Sequence, residues 1–155
     1  AGGGMILEGS FTVARSAADV WAAINDAAVL GAAISGCESL TRTATGYDAT
    51  VVLKIGPVKA RFAGRVTIAD AVEPERLVLT GEGSGGVAGF AKGGATVLLR
   101  CVPGGTDVSY SAEVAVGGKL AQIGNRLIAS TARKLAEQFF ESLNDQLSAT
   151  REVAP

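Results

Sequence analysis

Leu120, Ile123, Leu127, Thr131, Leu135, Phe139, Leu143 and Leu147 recur every three or four residues, and no other feature of this chain restricts its fold so tightly. The spacing predicts one continuous amphipathic helix over 119–147, about 40 Å long at ~1.5 Å per residue. Arg126, Lys134, Glu137, Glu141 and Asp145 fall off the seam. A stripe of that length must be covered, and the chain ahead of it offers strands for the purpose. Gly124 interrupts the pattern at a cost of about 1 kcal/mol relative to alanine. Either its missing side chain leaves room for a ligand, or sheet backbone approaches closely there.

The expected cover is an antiparallel meander. Residues 6–13 alternate with period two, and further strand-like runs occupy 47–55, 58–71, 76–82, 95–102 and 107–116. Gly56-Pro57, Glu73-Pro74-Glu75 and Pro103-Gly104-Gly105 separate them as turns, glycine supplying positive φ and proline fixing φ near about −65°. In 58–68, Lys59, Arg61 and Arg65 alternate with Val58, Ala60, Phe62, Gly64, Val66 and Ile68, so one face is wet and the other dry. The same phase turns Leu77, Leu79, Gly81 and Gly83 inward, and likewise Val108, Tyr110, Ala112, Val114 and Val116. Between the first and second runs, Ser16 and Asp19 have an N-terminal capping spacing ahead of Val20, Trp21 and Ile24. A second short helix is expected over 27–34, ended by Ser35-Gly36. The fold class is therefore α+β: a curved antiparallel sheet around a long C-terminal helix, with two short helices after the first strand. Residues 5–148 form the domain, 1–4 read as a tag remnant, and 149–155 read as a disordered tail.

Glycine accounts for 21 of the 155 residues and aromatics for only 5%, so many inward positions are small: Gly9, Ala60, Gly64, Gly81, Gly83, Ala95 and Ala112. Interiors pack to a density near ~0.75, and an apolar layer lined by such residues implies a pocket of roughly 300–1,000 Å³. Its expected lining is Trp21, Leu30, Ile34, Phe62, Leu79, Phe90, Val97, Ile123 and Leu127. Residues 81–94, GEGSGGVAGFAKGG, read as a mobile gate, with Val87, Phe90 and Lys92 touching a membrane or partner.

Other chemistries find little support. A net charge of −1 supplies no basic field for nucleic acid. Without histidine there is neither a hydrolytic triad nor an imidazole base, and Cys37 and Cys101 form no metal-ligand cluster. Both cysteines are expected buried and reduced. Glu8, Glu38, Asp48, Glu82 and Glu113 fall on wet strand faces as solvated charge, leaving an acid–base site on Glu82 or Tyr110 as the remaining catalytic option. The expectation is a non-enzyme. No apolar run reaches the ~18 residues that a spanning helix needs.

The strings GCESL (36–40), KIGPVKARFAG (54–64), GEGSGGVAGFAKGGA (81–95) and GGKLAQIGNRLI (117–128) resemble the carbon monoxide dehydrogenase G-subunit family, over 5–147. That family belongs to the helix-grip superfamily of lipid-transfer and pollen-allergen-like domains. The resemblance implies an internal apolar cavity and association with a molybdenum carbon monoxide dehydrogenase, which such proteins recruit to the cytoplasmic membrane. Since that enzyme must pass electrons to a water-insoluble respiratory quinone, the resemblance implies a cavity for a prenylated quinone, menaquinone in particular. It further implies a cytoplasmic protein peripheral to the inner face of the membrane. Two alternatives stay open: an assembly or recruitment adaptor without ligand, and a small-molecule cyclase or hydrolase on the same fold.

Overall fold

The computed structural model describes residues 4–153, with side chains over 5–147. Seven antiparallel strands form one sheet in the order β1-β7-β6-β5-β4-β3-β2: β1 (Gly4–Val13), β2 (Cys37–Arg42), β3 (Gly46–Ile55), β4 (Val58–Val72), β5 (Arg76–Ser84), β6 (Phe90–Val102) and β7 (Gly105–Gly117). Strands β2 to β7 follow one another as a meander, and β1 closes onto β7 from Gly4↔Ala115 to Val13↔Thr106. Of the expected tag remnant, Gly4 thus belongs to the sheet, and residues 1–3 lie outside the described residues.

Two helices follow β1. In α1 (Ala17–Ile24) the Ser16 hydroxyl accepts the Asp19 N–H at 3.1 Å, as the capping spacing requires. In α2 (Ala27–Ala33) the Asp26 carboxylate does the same for Ala28 and Val29. The final seam is not one helix. A short α3 (Lys119–Ile123) is followed by Gly124 at φ +100° and then by α4 (Asn125–Val153). A Cβ at Gly124 would meet nothing within 4 Å, so no sheet backbone approaches closely there, and Gly124 is not among the residues that line the hollows of the concave face. Glycine is needed for its backbone angle, which L side chains rarely adopt. The break also shifts the helical phase, leaving Leu127 41% exposed while its neighbour Ile128 is buried. The backbone of α4 stays helical to Val153, past the expected end at 147 and into the expected tail.

The glycine-rich segment 81–94 also departs from its reading as a gate. Strands β5 and β6 pair without interruption from Arg76↔Leu98 to Ser84↔Phe90, and β5 pairs with β4 as far as Ser84↔Ala63. Only Gly85–Gly89 is a turn, built on one 3-10 turn at Gly86–Ala88. Ladder hydrogen bonds on both sides of β5 and β6 override the poor strand propensity of glycine. Cys101 is exposed and Cys37 half-buried, both as free thiols, so the expected burial of the pair does not occur.

Packing on the concave face is uneven. Val13, Val20, Trp21, Leu77, Leu99 and Val108 form one dense cluster under α1, joined by Phe140 and Leu147 from α4. A smaller cluster of Phe62, Ala88 and Leu120 closes the other end. The C-terminal half of α4 is stapled in place: Arg15 donates to the Leu147 carbonyl at 2.6 Å and pairs with Asp19 at 3.0 Å, and the Gln146 amide donates to the Val29 carbonyl at 3.2 Å. No helix among the described residues is long and apolar enough to cross a membrane.

Candidate functional site

Between the two clusters the concave face is hollow. A cavity of about 420 Å³ lies between strands β3, β4, β5 and β6 on one side and α3, α4 and the end of α2 on the other. Ala49, Val51, Leu53 and Ile55 of β3 form one wall, Leu135, Ala136 and Phe139 of α4 the roof, and Phe62 and Leu120 one end. At Gly83 and Ala91 it meets a second hollow of about 340 Å³ that runs over Gly81, Gly93, Ala95 and Ala112. The floor of this trough is close to bare backbone, because the register aligns Gly64 with Gly83 and Gly81 with Gly93.

These glycines are there for two different reasons. At Gly64, Gly81 and Gly83 an added Cβ would find only ordinary contacts, at 3.4 Å or beyond, and the backbone carries no positive φ. A side chain would fit at these three positions, so their being bare leaves the trough open. At Gly93 a Cβ would sit 2.0 Å from the Glu113 carbonyl oxygen, so glycine there is required by the approach of β7. Nearly all the lining is aliphatic or aromatic carbon. Ser35 supplies a hydroxyl at the rim, which donates to Oε1 of Gln138 at 3.0 Å and ties the end of α2 to α4.

The expected lining residues divide. Ile34 and Phe62 line the main cavity, Leu79 the second hollow, and Ile123 packs against the Phe62 cluster beside it. Trp21 belongs to the dense cluster and Val97 packs against it, so both support one end without facing the space. Leu30 is half-buried on α2, outside the lining of either hollow. Leu127 does not reach the cavity that the helical seam assigns it, since its side chain lies over Gly56 of the β3–β4 turn. Phe90 is on the opposite face, because β6 alternates and puts Ala91 and Gly93 inward; its ring covers Gly117. Lys92 shares that outer face and stands opposite Glu82. The β3 wall, Leu135 and Phe139 are site residues that the sequence reading leaves out. The signals that mark them are the period-two alternation in β3 and the helical seam itself.

Larger concavities, about 730 and 770 Å³, lie on the outer face of the sheet along Arg65, Glu82 and Lys92. They are lined by charged residues, and the acidic residues there, with Glu8 and Glu38, are exposed as expected. Glu38 is held below the usual carboxylate range by its hydrogen bonds to Arg61, at 2.7 and 3.1 Å. On the inner face, Tyr110 stacks within 6.4 Å of both Phe11 and Phe140. Burial pushes its phenol above the ordinary range, outweighing the opposing pull of Arg133, and Glu137 adds to the rise. The ring lies across Gly9 of β1, away from the trough.

A curved antiparallel sheet gripping a C-terminal helix over an apolar hollow defines a helix-grip protein, with the architecture of a ligand-binding domain. Within that class the chain belongs to the carbon monoxide dehydrogenase G-subunit (CoxG) family, whose model matches residues 9–148. Membership links it to carbon monoxide dehydrogenase. Among solved structures, a conserved protein from Geobacillus kaustophilus is 26% identical with a TM-score of 0.88, covering 94% of this chain and 97% of that one. A protein from Rhizobium leguminosarum matches at 19% identity and TM-score 0.72, over 94% and 95% of the two chains. A START superfamily protein from Mycobacterium smegmatis matches at 12% and 0.68, over 94% and 98%. The last two speak to the fold alone. No curated protein matches.

Proposed function

We propose that this protein is a non-catalytic carrier that shelters a prenylated respiratory quinone, menaquinone in particular, and links carbon monoxide dehydrogenase to the membrane respiratory chain. The observation that carries the reading is the trough itself: an apolar cavity of about 420 Å³ whose glycine floor has room for side chains and carries none. Its volume lies in the range of small-ligand sites. Its lining offers an isoprenoid chain many dispersion contacts and withholds water from it. The adjoining hollow extends the track for a longer tail. A quinone so held exchanges electrons with a soluble enzyme without the tail entering water. In this reading the exposed carboxylates on the outer face take no part in chemistry.

Two measurements test the proposal. Protein purified from its native cells should yield a prenylated quinone on solvent extraction. Anaerobic addition of the dehydrogenase and carbon monoxide should then reduce that bound quinone. Protein that carries no quinone and acquires none from detergent-solubilised menaquinone would favour the ligand-free adaptor.

A further inference from the structure

Lys92, Glu82, Arg65 and Asp48 stand side by side on β6, β5, β4 and β3, so a single row of alternating charge crosses the outer face of the sheet. All four are exposed. Arg65 and Asp48 pair at 3.4 Å, whereas among the described residues no ion pair joins Glu82 to Lys92. The rows on either side are built from smaller residues: Val78 stands beside Ala69, Thr80 beside Thr67 and Ser84 beside Ala63. Phe90 is the large exception, 46% exposed in the row of Ser84 and Ala63. Further along that row, Thr50 lies in the hollow of about 770 Å³ that Ala63 and Ser84 also line.

A row of four alternating charges is complementary to its own copy about a two-fold axis that runs along the strands, between β4 and β5. Turning one copy onto another about that axis sets Glu82 of one against Arg65 of the other and Lys92 against Asp48, each contact occurring twice. Val78, Thr80 and Ser84 come over Ala69, Thr67 and Ala63, which are small enough for close approach. Phe90 comes over Thr50, in the other copy's hollow. Neighbouring placements fail: an axis on β5 puts Glu82 against itself and Lys92 against Arg65, and an axis on β4 puts Arg65 against itself and Glu82 against Asp48. Like charges so opposed repel. We propose that the outer face is a docking surface for a second copy of this chain, which it meets as an isologous dimer. With about 4.8 Å between strands and about 3.3 Å per residue, β3 to β6 present roughly 600 Å² to the other copy, the size of a weak, reversible interface. Both concave faces stay on the outside of such a dimer, so it neither needs nor blocks a ligand in the trough.

The test is sedimentation equilibrium of the full chain from about 1 to about 200 µM. The parent should pass from monomer to dimer over that range, and its association should weaken about fivefold or more as salt rises from about 0.1 M to about 1 M and the screening length shrinks from about 10 to 3 Å. E82K and R65E each bring like charges together across the axis. Either variant alone should associate roughly tenfold or more weakly than the parent, with an unchanged thermal midpoint, because both positions are exposed. Mixed in equal amounts, the two variants should recover a dimer, since the E82K face then presents two cations to the two anions of the R65E face. A structural effect of either substitution would not be rescued by mixing. A parent that stays monomeric at about 200 µM, variants that dimerise as the parent does, or a mixture that fails to associate overturns the proposal. So does a monomeric parent whose capture by the dehydrogenase is lost in E82K, which would give this face to a different partner.

Discussion

The two halves of the concave face share strands β5 and β6 and both meet α4, yet one is filled and the other is not. Under α1, Val13, Val20, Trp21, Leu77, Leu99 and Val108 interlock until several of them have almost no exposed surface. Toward α3, Gly64, Gly81 and Gly83 leave the sheet bare below Leu135 and Phe139. A chain selected for stability alone would fill such space, since each buried methylene adds about 0.8 kcal/mol. The dense half holds the fold, and the hollow half depends on it to stay open. The staples on α4 follow the same division, with Arg15 and Gln146 anchoring its C-terminal half over the dense cluster. Ahead of the cavity, Gly124 separates α3 from α4.

The largest expected effect comes from emptying the filled half. Trp21→Ala should cost about 3–5 kcal/mol of unfolding free energy in urea titrations, whereas Leu135→Ala, which already borders empty space, should cost under about 1 kcal/mol. Equal losses would erase the distinction between the halves. Next in size is Gly93→Ala, which drives a Cβ against the Glu113 carbonyl and should destabilise by about 1–3 kcal/mol. Its counterpart is Gly83→Val. The Cβ there has contacts no closer than 3.7 Å and valine favours strands, so stability should stay within about 1 kcal/mol of the parent while the trough fills. The smallest effect concerns Tyr110. Because burial raises its phenol pKa, the unfolded chain ionises first, and stability should fall as pH rises above the ordinary tyrosine range. Tyr110→Phe should flatten that alkaline slope in pH-dependent urea titrations; an unchanged slope would place its origin elsewhere.

The filled half is easier to read from sequence than the hollow one, for physical reasons. Period-two alternation in β4, β5 and β7 and the helical seam define the layers and their phases, because burying one face of an element leaves a repeating mark. Strand β2 leaves none, since its register shifts between Cys37 and Ser39 and its outward residues do not alternate cleanly. The ends of β5 and β6 resemble a loop in sequence because glycine is free in isolation, whereas in the sheet its neighbouring strands fix it. Leu127 falls in the cavity only if one helical phase extends across Gly124, and the positive φ at that residue interrupts it. Phe90 misleads through composition: an aromatic in a glycine-rich stretch suggests a gate, and only the pairing with Gly117 shows which face it occupies. Family resemblance supplies what periodicity lacks, the helix-grip arrangement and the link to carbon monoxide dehydrogenase.

The claim that the hollow half exists to hold a ligand is tested most directly by comparing menaquinone retention in the parent and in Gly83→Val. Both proteins would be loaded from the same detergent solution, desalted and extracted, with the retained quinone quantified against protein. Near-stoichiometric quinone is expected in the parent and little or none in the variant, at equal thermal stability. Equal retention by two folded proteins would contradict that claim and move the ligand, if there is one, out of the trough.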